Sequence, residues 1–358
     1  MNSSKLELSV LVPAYGRVDY LPRLLQSIID QTSPPHELII VEDKSQQRMQ
    51  IREVVERYIP ILRSCGISVI YSENEVNLGY DANLRRLLEL ASGDYAIFLG
   101  NDDELLPNCV TVVREAIAAS GAHFLSRAFR QHVILPGTAK REVGLIEPSR
   151  VPLSGNITDW GHLFGLCSVI TGLVFHVRNA QAASASQFDG GLYYQYHLTI
   201  ACNLEGGTWY IPTPIVSCRA DLAPEFGDAG VEKVFTPGRY TAASRIKMAS
   251  SVLEIYRFHR PSGKVCRDIC DEFNVRQSIH IFEMMSSSSR SESFAMWLGF
   301  WRLGLFRHPL PVALLLFNIV CGESGRPAFL ASKRFAKRVI LKIGLRGLVR
   351  NTTIKGNS

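Results

Sequence analysis

The chain has 358 residues, of which 46% are apolar and 20% charged, with a formal net charge of +6. Such a composition excludes a disordered chain and provides a core for one large domain with an appendage, or for two domains. Its eight cysteines form no CxxC pair and no zinc-finger spacing with histidine, so reduced thiols in a cytosolic compartment are expected. The first residues, Met1 to Glu7, lack the charged-then-apolar pattern of a signal peptide, and the chain is expected to stay where it is made. The positive charge is local. Nine basic residues and no acid follow Glu323, leaving 30 basic against 33 acidic residues in the first 323.

Leu8 to Val12 reads as a buried strand ended by Pro13, and Asp19 as the N-cap of a helix with Leu21, Leu24, Leu25, Ile28 and Ile29 at helical spacing. Leu38 to Val41 is a second strand, finishing in Glu42 and Asp43, followed by a helix over about Arg48 to Arg63. Ile67 to Tyr71 is a third, and the turn Asn77-Leu78-Gly79 precedes a helix over Asp81 to Ala91. The fourth strand, Tyr95 to Leu99, runs into Gly100-Asn101 and three consecutive carboxylates, Asp102, Asp103 and Glu104. Adjacent acids at a strand end repel unless a cation sits among them, and a hard divalent metal carrying phosphate is the natural candidate. The alternative is an acidic loop that caps a helix starting near Leu105, with Asp102 or Asp103 as N-cap.

Strands alternating with helices imply right-handed crossovers and a largely parallel α/β sheet covered on both faces. The loops after the strands then converge on one crevice. Neither GxGxxG nor GxxxxGK[ST] is present, so neither a dinucleotide fingerprint nor a P-loop explains that crevice.

Four blocks in order over about the first 110 residues resemble the family 2 glycosyltransferases of the GT-A fold. They are Val10-Leu11-Val12-Pro13-Ala14-Tyr15, Val41-Glu42-Asp43-Lys44-Ser45, Asn77-Leu78-Gly79 with Asn83, and Ala91-Ser92-Gly93-Asp94-Tyr95 leading into Asn101-Asp102-Asp103. The resemblance implies a nucleoside diphosphate or monophosphate sugar as donor. It sets Pro13, Ala14 and Tyr15 beside the base, Asp43 on the base, and Asn77, Gly79, Asn83 and Asn101 around the donor. Asp102, with Asp103, would hold Mg2+ or Mn2+ on the diphosphate. Such a metal neutralises the leaving group without proton transfer. Two departures stand out. Asn101 lies where the family commonly has the first acid of Asp-x-Asp, and Tyr194-Gln195-Tyr196-His197 replaces the Glu-Asp pair that carries the general base of inverting members. His197 is the residue there able to take a proton near neutral pH, and Asp103 is a second catalytic candidate. Inversion and retention both stay open. Ile170 to Phe175 resembles the acceptor-side strand, and Gly206 to Pro212, running on to Arg219, the late strand.

A narrower resemblance to bacterial O-antigen transferases, including abequosyltransferase-like proteins, implies a polyprenyl-linked saccharide acceptor at the inner face of the cytoplasmic membrane. The carboxyl-terminal region agrees. Phe294 to Phe306 and Leu310 to Cys321 are apolar yet short of the ~20 residues of a spanning helix. Arg334, Arg338, Lys342, Arg346 and Arg350 line one side of a basic amphipathic segment over 331–350. The expected organisation is a GT-A domain over 1–225 and a helical, membrane-associating region over 226–358, peripheral on an anionic membrane surface, with no nucleic-acid partner. The alternative function is a non-catalytic nucleotide-sugar or saccharide binder of a membrane assembly complex.

Overall fold

The computed structural model describes residues 6–135, 139–149, 151–260, 267–276 and 289–322, with single positions at 325, 327 and 331. The basic segment expected over 331–350 lies, but for residue 331, outside them.

The chain opens with four strands, β1 (Leu8–Ala14), β2 (Glu37–Glu42), β3 (Ser68–Glu73) and β4 (Tyr95–Phe98), separated by helices α1 (Leu21–Ile29), α2 (Arg48–Ser64) and α3 (Tyr80–Leu90). These strands pair in parallel in the order β3-β2-β1-β4. Period-2 alternation assigns their faces. Val10, Val12, Leu38, Ile40 and Ile97 pack with α1, α2 and α4 (Cys109–Ser120), while Leu11, Ile39, Val41, Ala96 and Phe98 pack with α3 and with later helices on the other side. Both faces are buried, which is why β1 and β2 read as unbroken apolar runs.

Beyond β4 the sheet departs from the parallel expectation. It continues as β10 (Val174–His176), β6 (Phe124–Arg127), β11 (Thr208–Ile211) and β9 (Ser154–Gly155), with β10 antiparallel to both neighbours and β9 antiparallel to β11. Strands of two or three residues carry too little pattern to reveal direction. A second, smaller sheet runs β5 (Glu104–Leu105), β12 (Val216–Arg219), β7 (Phe129–Ile134), β8 (Lys140–Ile146). The late strand expected to reach Arg219 is therefore two strands in two sheets, parted by Pro212 and Pro214, which remove ladder donors.

Two other local expectations fail. Asp19 does not cap α1: a 3-10 turn over Val18–Tyr20 precedes it, Tyr20 is the N-cap, Leu21 starts the helix and Pro22 sits in its first turn. No helix begins near Leu105 either. Glu104 and Leu105 pair with Ser217 and Val216 as β5, and α4 starts only at Cys109, after Pro107.

Helices α5 (Trp160–Leu166), α6 (Val177–Ala182), α7 (Tyr194–Gly206) and α8 (Ala242–His259) cover the second face. The short α9 (Arg267–Asp271) and then α10 (Arg290–Arg302) follow, with Ile269, Met296 and Phe300 in the same core cluster, before α11 (Pro309–Cys321). The residue-225 boundary expected from sequence falls in a connector between β12 and α8, described below.

Asp81, in the first turn of α3, is fully buried and accepts N–H bonds from Gly191 (2.8 Å), Leu192 (2.7 Å) and Tyr194 (3.0 Å), tying the entry of α7 to α3. Burial pushes its carboxyl up to about 7 against the opposing pull of those N–H groups. The folded chain therefore holds a proton there that the unfolded chain, titrating near ~3.9, has released. The stabilisation is complete below ~3.9 and is lost as pH rises through the folded value. Urea unfolding is expected to show wild-type stability falling from about pH 5 to about pH 8 more steeply than that of Asp81→Asn. The variant also loses ~1–3 kcal/mol, because an amide leaves at least one of those N–H groups without an acceptor. Parallel pH profiles would remove Asp81 as the source.

Candidate functional site

Because β1 lies between β2 and β4, the loops after all three strands meet at one carboxyl-terminal edge of the sheet, where open α/β sheets bind ligands. The two acids ending β2 have different duties. Glu42 is fully buried and builds the turn, accepting from Lys44 N (2.9 Å), Ser45 N (2.6 Å) and Arg48 Nε (2.7 Å). Asp43 is 3% exposed; its Oδ1 accepts from Asn74 Nδ2 and Leu78 N, both at 2.8 Å, and its Oδ2 from Gly79 N at 2.9 Å. Burial raises its pKa while those three donors oppose the shift.

Most of the residues expected around a donor belong to this unit. Pro13 pairs with Val41 in the ladder, Ala14 O accepts the Asp43 N–H (3.0 Å), and Asn77 Oδ1 accepts from Gly79 N (3.0 Å). Asn83 donates to Val41 O (3.2 Å) and accepts from Asn74 Nδ2 (3.3 Å). These side chains hold the loops around Asp43 in place, and Gly79, at φ +88°, supplies a backbone turn that other residues rarely adopt.

After β1 the chain passes through two successive left-handed residues, Gly16 (φ 60°) and Arg17 (φ 56°). Asn101 Nδ2 donates to Gly16 O (3.0 Å), fastening the β4 loop to this turn. The Arg17 guanidinium reaches three oxygens: Asp102 Oδ2 through Nη1 (2.6 Å), Glu225 Oε2 through Nε (2.9 Å) and Ala223 O through Nη2 (2.7 Å). Tyr15 donates its hydroxyl to Asp228 Oδ2 (2.6 Å), and burial followed by that carboxylate raises the phenol's pKa. The connector at 223–232 thus straps across the crevice. At its far end Glu232 accepts from Tyr80 N (2.7 Å) and Gly227 N (3.1 Å), and Phe226 meets the Tyr80 ring edge-on with centroids 5.4 Å apart.

Asp102 and Asp103 are adjacent in sequence and opposite in role. Asp103 is buried; its Oδ1 accepts from Arg219 N (2.6 Å) and its Oδ2 from the Thr171 hydroxyl. Burial, with the Asp102 charge beside it, holds its carboxyl above the usual carboxylate range. Asp102, with a 13% exposed side chain, faces the crevice. Nearby, Arg219 stacks over the Tyr20 ring at 4.0 Å and pairs with Asp221.

The donor set for a divalent metal is sparse. Among the described residues no three His, Cys, Asp or Glu side chains converge to hold one. Both Asp103 oxygens are committed, and Asn101 offers no charge. Asp102 alone fits an ion that draws most of its oxygens from substrate phosphates and water, as Mg2+ does. A metal therefore fits here together with a phosphate ligand.

His197 stands elsewhere, 2% exposed on α7, with its ring against Phe188, Phe258 and His259. Both ring nitrogens are engaged, Nδ1 with His259 Nε2 (2.9 Å) and Nε2 with Ala183 O (2.6 Å). Burial lowers its pKa, and that of His259 to about 4. None of these partners belongs to the Asp43–Asp102 crevice.

Residues 9–152 match the model described as glycosyl transferase family 2. That segment is similar to the family 2 glycosyl transferases. Abequosyltransferase RfbV of Salmonella typhimurium is 31% identical over 109 residues, covering 30% of this chain and 31% of its own. The amylovoran biosynthesis glycosyltransferase AmsB of Erwinia amylovora is 35% identical over 101 residues, 28% of this chain and 32% of its own. The chain thus spans about a third of the length of the curated relatives it matches. Mannosyltransferase PcManGT from Pyrobaculum calidifontis, solved with GDP-Man and Mn2+, is 15% identical with a TM-score of 0.49, covering 94% of this chain and 82% of that one. Asp43, Asp102 and Arg17 all lie within the matched segment, whereas Thr171, Arg219 and the strap residues Glu225, Asp228 and Glu232 lie beyond it. Sequence reasoning passed over Arg17 and the strap acids. The Gly16-Arg17 pair directly after a buried strand is a usable signal, but nothing in the sequence links it to residue 225.

The split between the two acids can be measured. Asp103→Ala orphans the Arg219 N–H in a buried setting and is expected to cost ~1–3 kcal/mol in urea unfolding. Asp102→Ala, which removes one ion pair at the crevice mouth, is expected to cost under ~1 kcal/mol. Equal losses would mean that both acids are structural.

Proposed function

We propose that the chain is a glycosyltransferase that moves a sugar from a nucleotide-sugar donor to a lipid-linked saccharide during bacterial surface polysaccharide assembly. The observation that carries this reading is the convergence of Tyr15, Asp43 and Asp102 on one crevice at the carboxyl edge of the sheet, within the matched segment. The names of the relatives RfbV and AmsB, one a sugar transferase and the other a polysaccharide biosynthesis enzyme, agree with it.

In this mechanism Asp43 accepts a proton donor of the base, using a carboxylate already fixed by Asn74, Leu78 and Gly79. Tyr15 borders the same pocket. Asp102 would hold a divalent metal together with the donor phosphates. When bound, that metal neutralises the charge growing on the nucleotide leaving group. Asp103 keeps the β4 loop seated so that Asp102 faces the crevice. His197, with both nitrogens engaged among aromatic rings, is assigned a packing role here. A non-catalytic binder is the second reading, favoured by Gln195 standing where a carboxylate base is expected, with an unpartnered, buried Oε1.

Thermal unfolding with UDP, CDP, GDP and dTDP, each with and without Mn2+, tests the donor site. One nucleotide at a hundredfold excess over its Kd is expected to add ~2.7 kcal/mol, and Asp102→Asn to abolish the metal-dependent part. No stabilisation by any of the four would overturn the reading, and sugar transfer by the purified chain would eliminate the binder.

For the acceptor side we propose a peripheral membrane contact through α10 and α11. Phe294 (48% exposed), Trp301 (46%), Leu316 (56%) and Val320 (76%) project outward, and the Phe294, Trp297 and Trp301 rings are stacked. Among the described residues no helix is long and apolar enough to cross a membrane. Tryptophans suit the headgroup level, and the basic residues after Glu323 would add ~1 kcal/mol each near anionic lipid. Cosedimentation with phosphatidylglycerol vesicles is expected to exceed that with phosphatidylcholine vesicles, to fall with salt, and to weaken several-fold in Trp301→Ala. Indifference to lipid charge would count against the contact.

A further inference from the structure

Arg17 takes no part in the roles assigned above, yet it is the cation nearest the crevice acid. Its three guanidinium nitrogens face oxygens of three different groups, two carboxylates and a carbonyl, at 2.6 to 2.9 Å. A diphosphate presents just such a cluster of anionic oxygens to a planar guanidinium. The other arginines that follow these strands are committed elsewhere: Arg48 to Glu42, Arg52 to Glu73, Arg85 to Asp189, and Arg219 to Asp221.

The strap supplies the second half of the argument. It carries Glu225, Asp228 and Glu232 to a crevice rim made of Arg17, the Tyr15 hydroxyl and the Tyr80 N–H, all donor groups. Each carboxylate satisfies one of these donors with an anionic oxygen, and on Arg17 that is the kind of group a phosphate would offer. A diphosphate entering beside them would meet like charge until Glu225 withdraws. Gly16 adopts its left-handed backbone freely, but Arg17 holds φ 56°, a conformation that a residue with a Cβ adopts only at a cost.

We infer that Arg17 is a ligand for the donor diphosphate, and that Glu225, with Asp102, holds the guanidinium as an internal substitute for that diphosphate until the donor displaces it. The inference rests on the donor reading above and adds to it a phosphate ligand and its competitor. The Glu225 carboxylate, 45% exposed, is free to swing into solvent. Asp102 is released from Arg17 in the same exchange and becomes available to a metal. Donor affinity is thus discounted by the fraction of molecules in which the strap holds Arg17.

Calorimetric titration of the full chain with UDP, CDP, GDP and dTDP, and with the matching nucleosides, tests this in EDTA and again in Mn2+. For the nucleotide that binds, Arg17→Ala is expected to weaken diphosphate binding about tenfold or more while leaving nucleoside binding unchanged. Glu225→Gln, at an exposed position, is expected to tighten diphosphate binding several-fold, and the gain to vanish when Arg17→Ala is added. Wild-type diphosphate affinity in Arg17→Ala overturns the inference and leaves the donor reading standing. Unchanged or weaker binding in Glu225→Gln overturns the competition. A wild-type chain that binds no nucleotide overturns the donor reading, and this inference with it.

Discussion

The architecture of the crevice depends on one buried carboxylate with nothing to spare. Asp103 follows β4 of the large sheet, and its two oxygens are taken by Thr171, just before β10 of that sheet, and by the Arg219 amide at the end of β12 in the small one. Both sheets are therefore keyed to a single side chain at the floor of the site. Charge-assisted bonds of this kind offset the cost of burying an acid, and their geometry fixes which way the neighbouring residue turns. Asp102 looks into the crevice because Asp103 is facing away from it.

That division explains how much of the site was legible in the sequence. The strands β1, β2 and β4 were readable because both faces are buried and their central residues are largely apolar, and the acids after β2 and β4 marked the edge where open α/β sheets bind ligands. Asp43 and Asp102 were found as chemistry, and both stand in the crevice. The donor candidates Asn77 and Asn83 were found for the same reason, but their hydrogen bonds go to backbone groups and, for Asn83, to Asn74. Sequence shows that a polar residue is present; only the fold shows what already occupies it.

What stayed hidden was long-range or short-stranded. The antiparallel β10 and the split between β11 and β12 rest on segments of three or four residues. Arg17 meets Glu225 across 208 positions, and Tyr15 meets Asp228 across 213. No periodicity carries such information. His197 illustrates the reverse error, in which a residue type able to do chemistry drew attention although its surroundings, three aromatic partners and two occupied nitrogens, are those of a packed core.

The strap has a bearing on inheritance. The family 2 match ends at residue 152, and the strap begins some seventy residues later, beyond the matched segment. The groups that would grip a donor thus come from the recognisable half, and the acids pressed against them come from the other. A lineage that exchanges its second half to meet a new acceptor would also exchange the acids lying against its donor groups. In such a protein, donor preference and acceptor preference would drift together even if the nucleotide-facing loops never changed.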